Sequence, residues 1–330
     1  MTKLPATVTA AFITATGLAE NIRLGELPMP SLGPTDVLVR AEVVAVNNVD
    51  TFVRSGAYQT ALPMPFIVGR DVVGVVAAMG AGVVGFAVGD RVWCNSLGHA
   101  GRQGSFATYV VISADRLYHL PEGVDAVDAV AAFHPGATAY LGLFRHAVIT
   151  PGQTIVVGGA GGSIGTAVVQ LAATAGARIL ATASPRDVDW CHSCGAEQVF
   201  DYHDPDVEAR IAAAAPDGVD VYWDTSGHHN FDATVPVLAH GARIVLMAAL
   251  DARPVLPVGA VYTRDISLRG FVISNASVSD LAQAAPLINR LLSQDILRIR
   301  VAEVMSLADA AQAHRMVESR QVTGRIVLRL

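Results

Sequence analysis

Cysteine, charge and aromatic side chains are all scarce in this chain of 330 residues. Its three cysteines, Cys94, Cys191 and Cys194, are too few and too unevenly spaced for a disulfide framework, which points to a reducing, cytoplasmic setting. Charged residues make up 16% and aromatics 6%; the formal net charge is −6, and no basic cluster is present. Nucleic acid and anionic membrane are therefore poor partners for it. Long apolar runs are also missing. Val72 to Gly89 comes nearest, with 18 uncharged residues, but its five glycines and repeated valine pairs suit two buried strands joined by a turn rather than a membrane span. The N-terminus lacks the continuous apolar core of a signal peptide and reads as a first strand.

What is present is an apolar content of 52% and enough length for two domains. Residues 1–125 hold short β-rich runs separated by Gly and Pro: Asp36 to Val46, Val72 to Ala78, Arg91 to Cys94 and Ser105 to Val111. From 126 to 294 strands alternate with alanine-rich helices, the pattern of a parallel sheet. The expected strands there are Thr154–Val157, Arg178–Thr182, Gln198–Phe200, Val219–Asp224, Ala242–Met247 and Ile266–Ile273, with a helix over Val278–Ser293. A closing strand, Gly324 to Leu330, returns to the first domain. The fold class is thus α/β, a mostly-β domain beside a doubly wound parallel sheet.

The strongest chemical signal is Thr154 to Gly165, TIVVGGAGGSIG, followed by an apolar run to Ala177 with Ile164, Val168, Leu171 and Ala175 at helical spacing. Within it Ala160, Gly161, Gly162, Ser163, Ile164 and Gly165 fit A-x-G-x-x-G between a strand and a helix. Small residues there let the backbone approach a diphosphate, and the helix N-terminus supplies N–H groups and partial positive charge. An NAD site usually adds an acid at the tip of the second strand, for the ribose 2′-OH. This tip instead reads Thr182-Ala183-Ser184-Pro185-Arg186, with no acid before Asp187. A hydroxyl and a guanidinium suit a 2′-phosphate, so the expected cofactor is NADPH; the alternative is that Arg186 is a solvated helix-start residue.

Several motifs in order give the chain a family resemblance. They are Asn47-Asn48-Val49-Asp50-Thr51 with Arg54-Ser55-Gly56-Ala57-Tyr58; Gly69-Arg70-Asp71-Val72-Val73-Gly74; Gly89-Asp90-Arg91-Val92; Thr138-Ala139-Tyr140; Asp224-Thr225-Ser226-Gly227; and Thr323-Gly324-Arg325. The chain resembles the medium-chain dehydrogenase/reductase superfamily, in its zinc-independent quinone oxidoreductase (ζ-crystallin-like) branch. The resemblance implies a GroES-like β domain, a Rossmann domain, an active-site cleft between them, a C-terminal return (295–330) to the first domain, and a homodimer. It further implies that Arg186 and Tyr202 hold the 2′-phosphate, that Thr138 lies near the nicotinamide, and that Ser226 and Arg325 contact the cofactor.

Zinc-dependent relatives place a Cys, a His and a Cys where this chain matches Asn47, Arg70 and His134. Zinc takes thiolate, imidazole or carboxylate ligands, so only His134 qualifies and no metal is expected. The pair in Cys191-His192-Ser193-Cys194 lacks a second ligand pair and reads as helix core. Without a Lewis acid, the expected reaction is hydride transfer to a quinone or an α,β-unsaturated carbonyl, whose arriving charge moves to a distant oxygen. By resemblance Tyr58 is the proton donor or orienting group, against the alternative of a packed loop tyrosine, and Asn47 is the second donor. Arg70, His134 and Asp50 are candidate substrate residues; Arg70 either binds an anionic substrate or pairs with Asp71 or Asp50. Two further possibilities stand beside this: a pathway-specific enoyl or enone reductase for an anionic or thioester substrate, and an NADPH-binding protein without turnover.

Overall fold

Valine runs build the first unit from its middle outward. In the computed structural model, which describes residues 4–330, the early elements are β1 (Thr7–Ile13), β2 (Arg23–Pro28), β3 (Asp36–Val46), α1 (Asn48–Ser55), β4 (Phe66–Ile67), β5 (Asp71–Met79), β6 (Arg91–Cys94), β7 (Tyr109–Ser113), β8 (Tyr118–His119) and α2 (Ala126–Tyr140). The long strand β3, valine-rich and buried along most of its length, pairs antiparallel with both β5 and β7. Strands β1, β2 and β4 form a separate three-stranded sheet.

An alternating series follows: β9 (Thr154–Gly158), α3 (Ser163–Thr174), β10 (Arg178–Ala183), α4 (Val188–Ser193), β11 (Gln198–Asp201), α5 (Val207–Ala214), β12 (Val219–Asp224), α6 (Phe231–Thr234), β13 (Leu238–Leu246), α7 (Val258–Tyr262) and β14 (Ser267–Gly270). The strands form one parallel sheet in the order β11-β10-β9-β12-β13-β14. Order reverses beside β9, the topological switch point at which doubly wound sheets bind nucleotides. The chain ends with α8 (Val278–Ser293), β15 (Val301–Ser306), α9 (Ala310–Ser319) and β16 (Arg325–Arg329). Strand β16 pairs antiparallel with β3, so the C-terminal strand does join the first sheet, in the order β15-β16-β3-β5-β6-β8.

The two compact units are divided differently from the expected 125/126 and 294/295 boundaries. Unit 1 comprises residues up to His134 together with Ser277–Asp295 and Ile299–Leu330; unit 2 is Pro135–Ala276 with Ile296–Arg298. Helix α8 belongs to unit 1 because Asn289 accepts from the Trp93 indole at 3.0 Å and donates to the His119 carbonyl at 3.0 Å. The first half of α2 stays there through Phe133, stacked on Trp93 at 3.9 Å.

Three local expectations are corrected. Val72 to Gly89 holds only one strand: past Met79, Gly80 and Gly82 donate to Asp36 and Pro34 carbonyls instead of forming a second strand. The strand expected over Ser105–Val111 starts at Tyr109, because Phe106 bonds outward, to Val68 and Ala11. Helix α3 carries no single apolar stripe; Gly165 through Ala172 are all buried.

Candidate functional site

In unit 2 the glycine turn has the geometry of a phosphate cradle. Gly159, leaving β9, has φ +67°, a left-handed conformation that glycine adopts without strain. Gly162 is the N-cap of α3, exposed, and no side chain caps that terminus. The first-turn N–H groups at Ser163 and Ile164 are left for an outside acceptor. A Cβ on Gly165 would strike the Gly159 carbonyl oxygen and come within 2.7 Å of the Ala160 Cα, so glycine lets the helix start close against the turn. Ala160 is fastened by its N–H to the Thr182 carbonyl (3.0 Å) and by its carbonyl to the Thr166 hydroxyl (3.1 Å). These residues fit a dinucleotide.

Around the turn sit the other expected cofactor residues of this unit. Ser184 and Arg186 follow β10, Tyr202 follows β11, and the Tyr202 N–H donates to the Ala183 carbonyl at 3.4 Å, so all three share one edge. Arg186 is 71% exposed and Tyr202 is exposed as well. Asp187 is nearer the turn than its sequence position suggested: it is buried, accepts from the Ser184 hydroxyl at 3.1 Å, and would meet a Cβ on Gly161 at 2.7 Å. Ser226 donates to Asp224 Oδ1 at 2.7 Å, and Asp224 Oδ1 would meet a Cβ on Gly158 at 2.7 Å, so this loop does border the turn. Thr138 is buried on the second half of α2. Cys191 and Cys194 are buried, and Cys194 accepts from Gln170 at 3.2 Å.

In unit 1, Asn47, Asp50, Arg70, Asp71, His134 and Arg325 are all buried. Asn47 caps α1, its N–H donating to Asp50 Oδ2 at 2.8 Å. Its side-chain nitrogen donates to Asp50 Oδ2 (3.2 Å) and Asp71 Oδ2 (3.1 Å), while its oxygen accepts from the Arg325 guanidinium at 2.7 Å. The amide is fully committed inside the protein, so Asn47 holds the cluster together and has no N–H left to offer outward. Arg325, expected at the cofactor, has its NH2 group committed to Asn47 and Asp71.

Burial dominates the electrostatics here. It pushes the Asp71 carboxyl up to about 7, against the pull of Arg325, with the charge of Asp50 adding to the rise. Burial raises Asp50 too, opposed first by Arg70. His134 is driven well below the ordinary imidazole range by burial and then by Arg70 and Arg325. Of the two alternatives for Arg70, burial and its pull on Asp50 match the pairing one.

Three of these positions are those the resemblance assigns to zinc ligands. Asn47 is spent on carboxylates and Arg325, Arg70 is a cation, and only His134 has ligand chemistry; this donor set does not fit zinc. Among the described residues no group of three or more His, Cys, Asp or Glu side chains is placed to hold a metal ion.

Tyr58 is different. It is half-buried, its ring lies 5.8 Å from that of His99, and its hydroxyl has no hydrogen-bond partner among the described residues. His99 is pushed down to about 4 by burial and then by Arg70, Arg102 and Arg116. No motif in the sequence marked His99, since only the folded loop brings its ring beside Tyr58. Among the described residues no helix is long and apolar enough to cross a membrane.

Known proteins share this fold. Residues 33–122 match the family described as "Alcohol dehydrogenase GroES-like domain", and residues 163–290 the one described as "Zinc-binding dehydrogenase". A quinone oxidoreductase of Sus scrofa is 29% identical over 92% of this chain and 91% of its own length. Among solved structures, an NAD-dependent alcohol dehydrogenase superposes with TM-score 0.88 at 29% identity, covering 98% of this chain and 99% of that one. A mycobacterial protein in complex with NADPH superposes with TM-score 0.85 at 26% identity, covering 98% and 100%. The chain belongs to the medium-chain dehydrogenase/reductase superfamily, and within it is quinone oxidoreductase-like.

Proposed function

We propose that this protein is an NADPH-dependent, metal-independent reductase of a quinone or an α,β-unsaturated carbonyl compound. One observation carries the reading. Of the three zinc-ligand positions only His134 has ligand chemistry, Asn47 being committed to Asp50, Asp71 and Arg325 and Arg70 being a cation, while the Tyr58 hydroxyl has no hydrogen-bond partner among the described residues.

Bound NADPH supplies a hydride. The diphosphate is assigned to the turn Ala160–Gly165, with Ser184, Arg186 and Tyr202 around the 2′-phosphate, and Thr138 and Ser226 along the rest of the cofactor. Asn47 and Arg325 position the N-terminus of α1 and the strand β16 rather than touching substrate. Once hydride reaches the electrophilic carbon, the electron pair moves to the distant oxygen as an enolate or hydroquinone anion. The phenol of Tyr58 holds the proton for that site, and water reprotonates the resulting phenolate.

Asp187 favours a second reading, use of NADH, because a carboxylate at the turn repels a 2′-phosphate. Its burial and its contact with Ser184, with Arg186 Nε 3.8 Å away, support NADPH instead. The test is a screen of NADPH and NADH oxidation with 1,4-benzoquinone, neutral enones, anionic acrylates and enoyl thioesters. Oxidation of NADPH by at least one class supports the proposal. Tight NADPH binding with no oxidation by any of them would favour a cofactor-binding protein without turnover.

A further inference from the structure

His99 sits at the tip of a strained loop, between Gly98 at φ +65° and Ala100 at φ +51°, with Gly101 at φ +82° next along. Glycine takes the left-handed conformation freely, but alanine held there is strain that the surrounding structure must enforce. Gly98 has a second constraint, since a Cβ on it would strike the Gly69 carbonyl oxygen. The enforcing bonds come from two sides. Toward the segment after Tyr58, the Ala100 N–H donates to the Thr60 hydroxyl at 2.9 Å, the Gly101 N–H to the Ala61 carbonyl at 3.0 Å, and the Gln103 amide to the Pro63 and Pro65 carbonyls at 3.3 and 2.9 Å. Toward the segment before β5, the Leu97 N–H donates to the Arg70 carbonyl at 3.4 Å and the Gly104 N–H to the Ile67 carbonyl at 2.9 Å.

None of these bonds uses the His99 side chain. The loop carries the imidazole without being held by it. The ring lies 5.8 Å from that of Tyr58, with the two planes tilted by 43°. His99 Nδ1 is buried and has no hydrogen-bond partner, and the neighbouring Tyr58 hydroxyl has none among the described residues. A buried polar atom left unpaired is costly, so a strained loop that places one beside a second unpaired group calls for a functional reason. Burial, followed by the charges of Arg70, Arg102 and Arg116, brings His99 down to about 4, so its ring is neutral at neutral pH. A neutral imidazole carries one N–H and donates it without giving up the proton.

We propose that His99 is the second donor of the active site, its Nδ1–H and the Tyr58 hydroxyl together holding the oxygen on which charge collects during reduction. It fills the place that the resemblance assigned to Asn47, whose amide is spent on Asp50, Asp71 and Arg325. The identity of that oxygen rests on the reductase reading above; the donor pair rests on the loop. As hydride adds to the electrophilic carbon, the double-bond electron pair moves to the oxygen. The Tyr58 O–H bond then breaks to supply the product's proton, and His99 keeps its own throughout.

The test uses H99N, H99Q and H99F in the intact protein. Asparagine places an N–H near the position of Nδ1, glutamine near that of Nε2, and phenylalanine keeps only the ring. The probe is 4-nitrophenolate, whose oxygen carries a delocalised negative charge, with 4-nitroanisole as the uncharged control. The phenolate is expected to bind more tightly than the anisole. Its affinity should fall at least about tenfold in H99F and in H99Q, and recover in H99N. With a neutral enone, kcat should fall about a hundredfold in H99F with KM little changed, and H99N should regain part of it. No phenolate binding, equal binding of phenolate and anisole, unchanged affinity in H99F, or rescue by H99Q as good as by H99N would overturn the proposal. If the phenolate binds through His99 but no quinone or enone is reduced, the reductase reading fails and the donor pair stands. If the wild type reduces them and H99F keeps its kcat, the role of His99 fails and the reductase reading stands.

Discussion

Asn47 and Arg325 lie 278 residues apart in sequence and are joined by a 2.7 Å hydrogen bond from the guanidinium to the amide oxygen. The same guanidinium nitrogen reaches Asp71 Oδ2 at 3.4 Å, so a terminal strand locks the cap of an N-terminal helix to a buried acid. Removing one member of a buried charged pair leaves the other uncompensated.

Arg325→Met is therefore expected to destabilise unit 1 by about 3 kcal/mol, read as a lower urea midpoint. The double change Arg325→Met/Asp71→Asn should recover much of that loss. If the double variant is no more stable than the single one, the two side chains are not energetically coupled.

Buried groups of opposite sign shape the pH dependence of stability, His314 and Asp71 among them. His314 is fully buried, both ring nitrogens lack partners among the described residues, and burial followed by the charge of Arg54 pushes it down to about 3. Between pH 6.5 and 3 the unfolded chain binds its proton and the folded chain does not, so stability falls as pH falls. Asp71, raised to about 7, binds its proton more tightly when folded, so its contribution falls as pH rises from about 4 to 7. His314→Phe should gain about 2 kcal/mol relative to wild type between pH 6.5 and 5 in urea titrations. Parallel curves for the two proteins would show that His314 is not the acid-sensitive group.

Arg186→Ala is expected to weaken NADPH binding at least about tenfold while leaving NADH affinity little changed, as read by fluorescence titration. An equal loss for both cofactors would place Arg186 away from the 2′-phosphate. Asp187→Asn, if it weakened NADH binding and improved NADPH binding, would show the carboxylate facing the ribose and favour the NADH reading.

Tyr58→Phe keeps the ring beside His99 and deletes only the hydroxyl. With a neutral enone, kcat is expected to fall about a hundredfold with KM little changed, in keeping with loss of a positioned proton donor. A rise in KM with kcat intact would make Tyr58 a binding residue instead.

Much of the fold was legible because it follows local patterns. The runs Asp36–Val46, Arg91–Cys94, Val219–Asp224 and Val278–Ser293 form the expected elements with the expected ends. The glycine turn was legible for the same reason, since strand, glycines and helix adjoin in sequence. What was not legible depends on distant partners. Arg70 could be read from the sequence either as a substrate ligand or as the partner of a nearby acid, because its burial and the pull it exerts on Asp50 depend on residues distant in sequence. Asn47 looked like a donor until Asp50, Asp71 and Arg325 were seen to consume its amide. His99 carries no motif at all; its place beside Tyr58 is made by bonds such as that from the neighbouring Ala100 to Thr60, 40 residues back.

The most direct measurement is NADPH oxidation by 1,4-benzoquinone and a neutral enone, with enzyme dialysed against a chelator and then with zinc restored. A metal-independent reductase oxidises NADPH at the same rate before and after zinc is added. No oxidation with either acceptor despite NADPH binding, or oxidation that appears only with zinc, would contradict it.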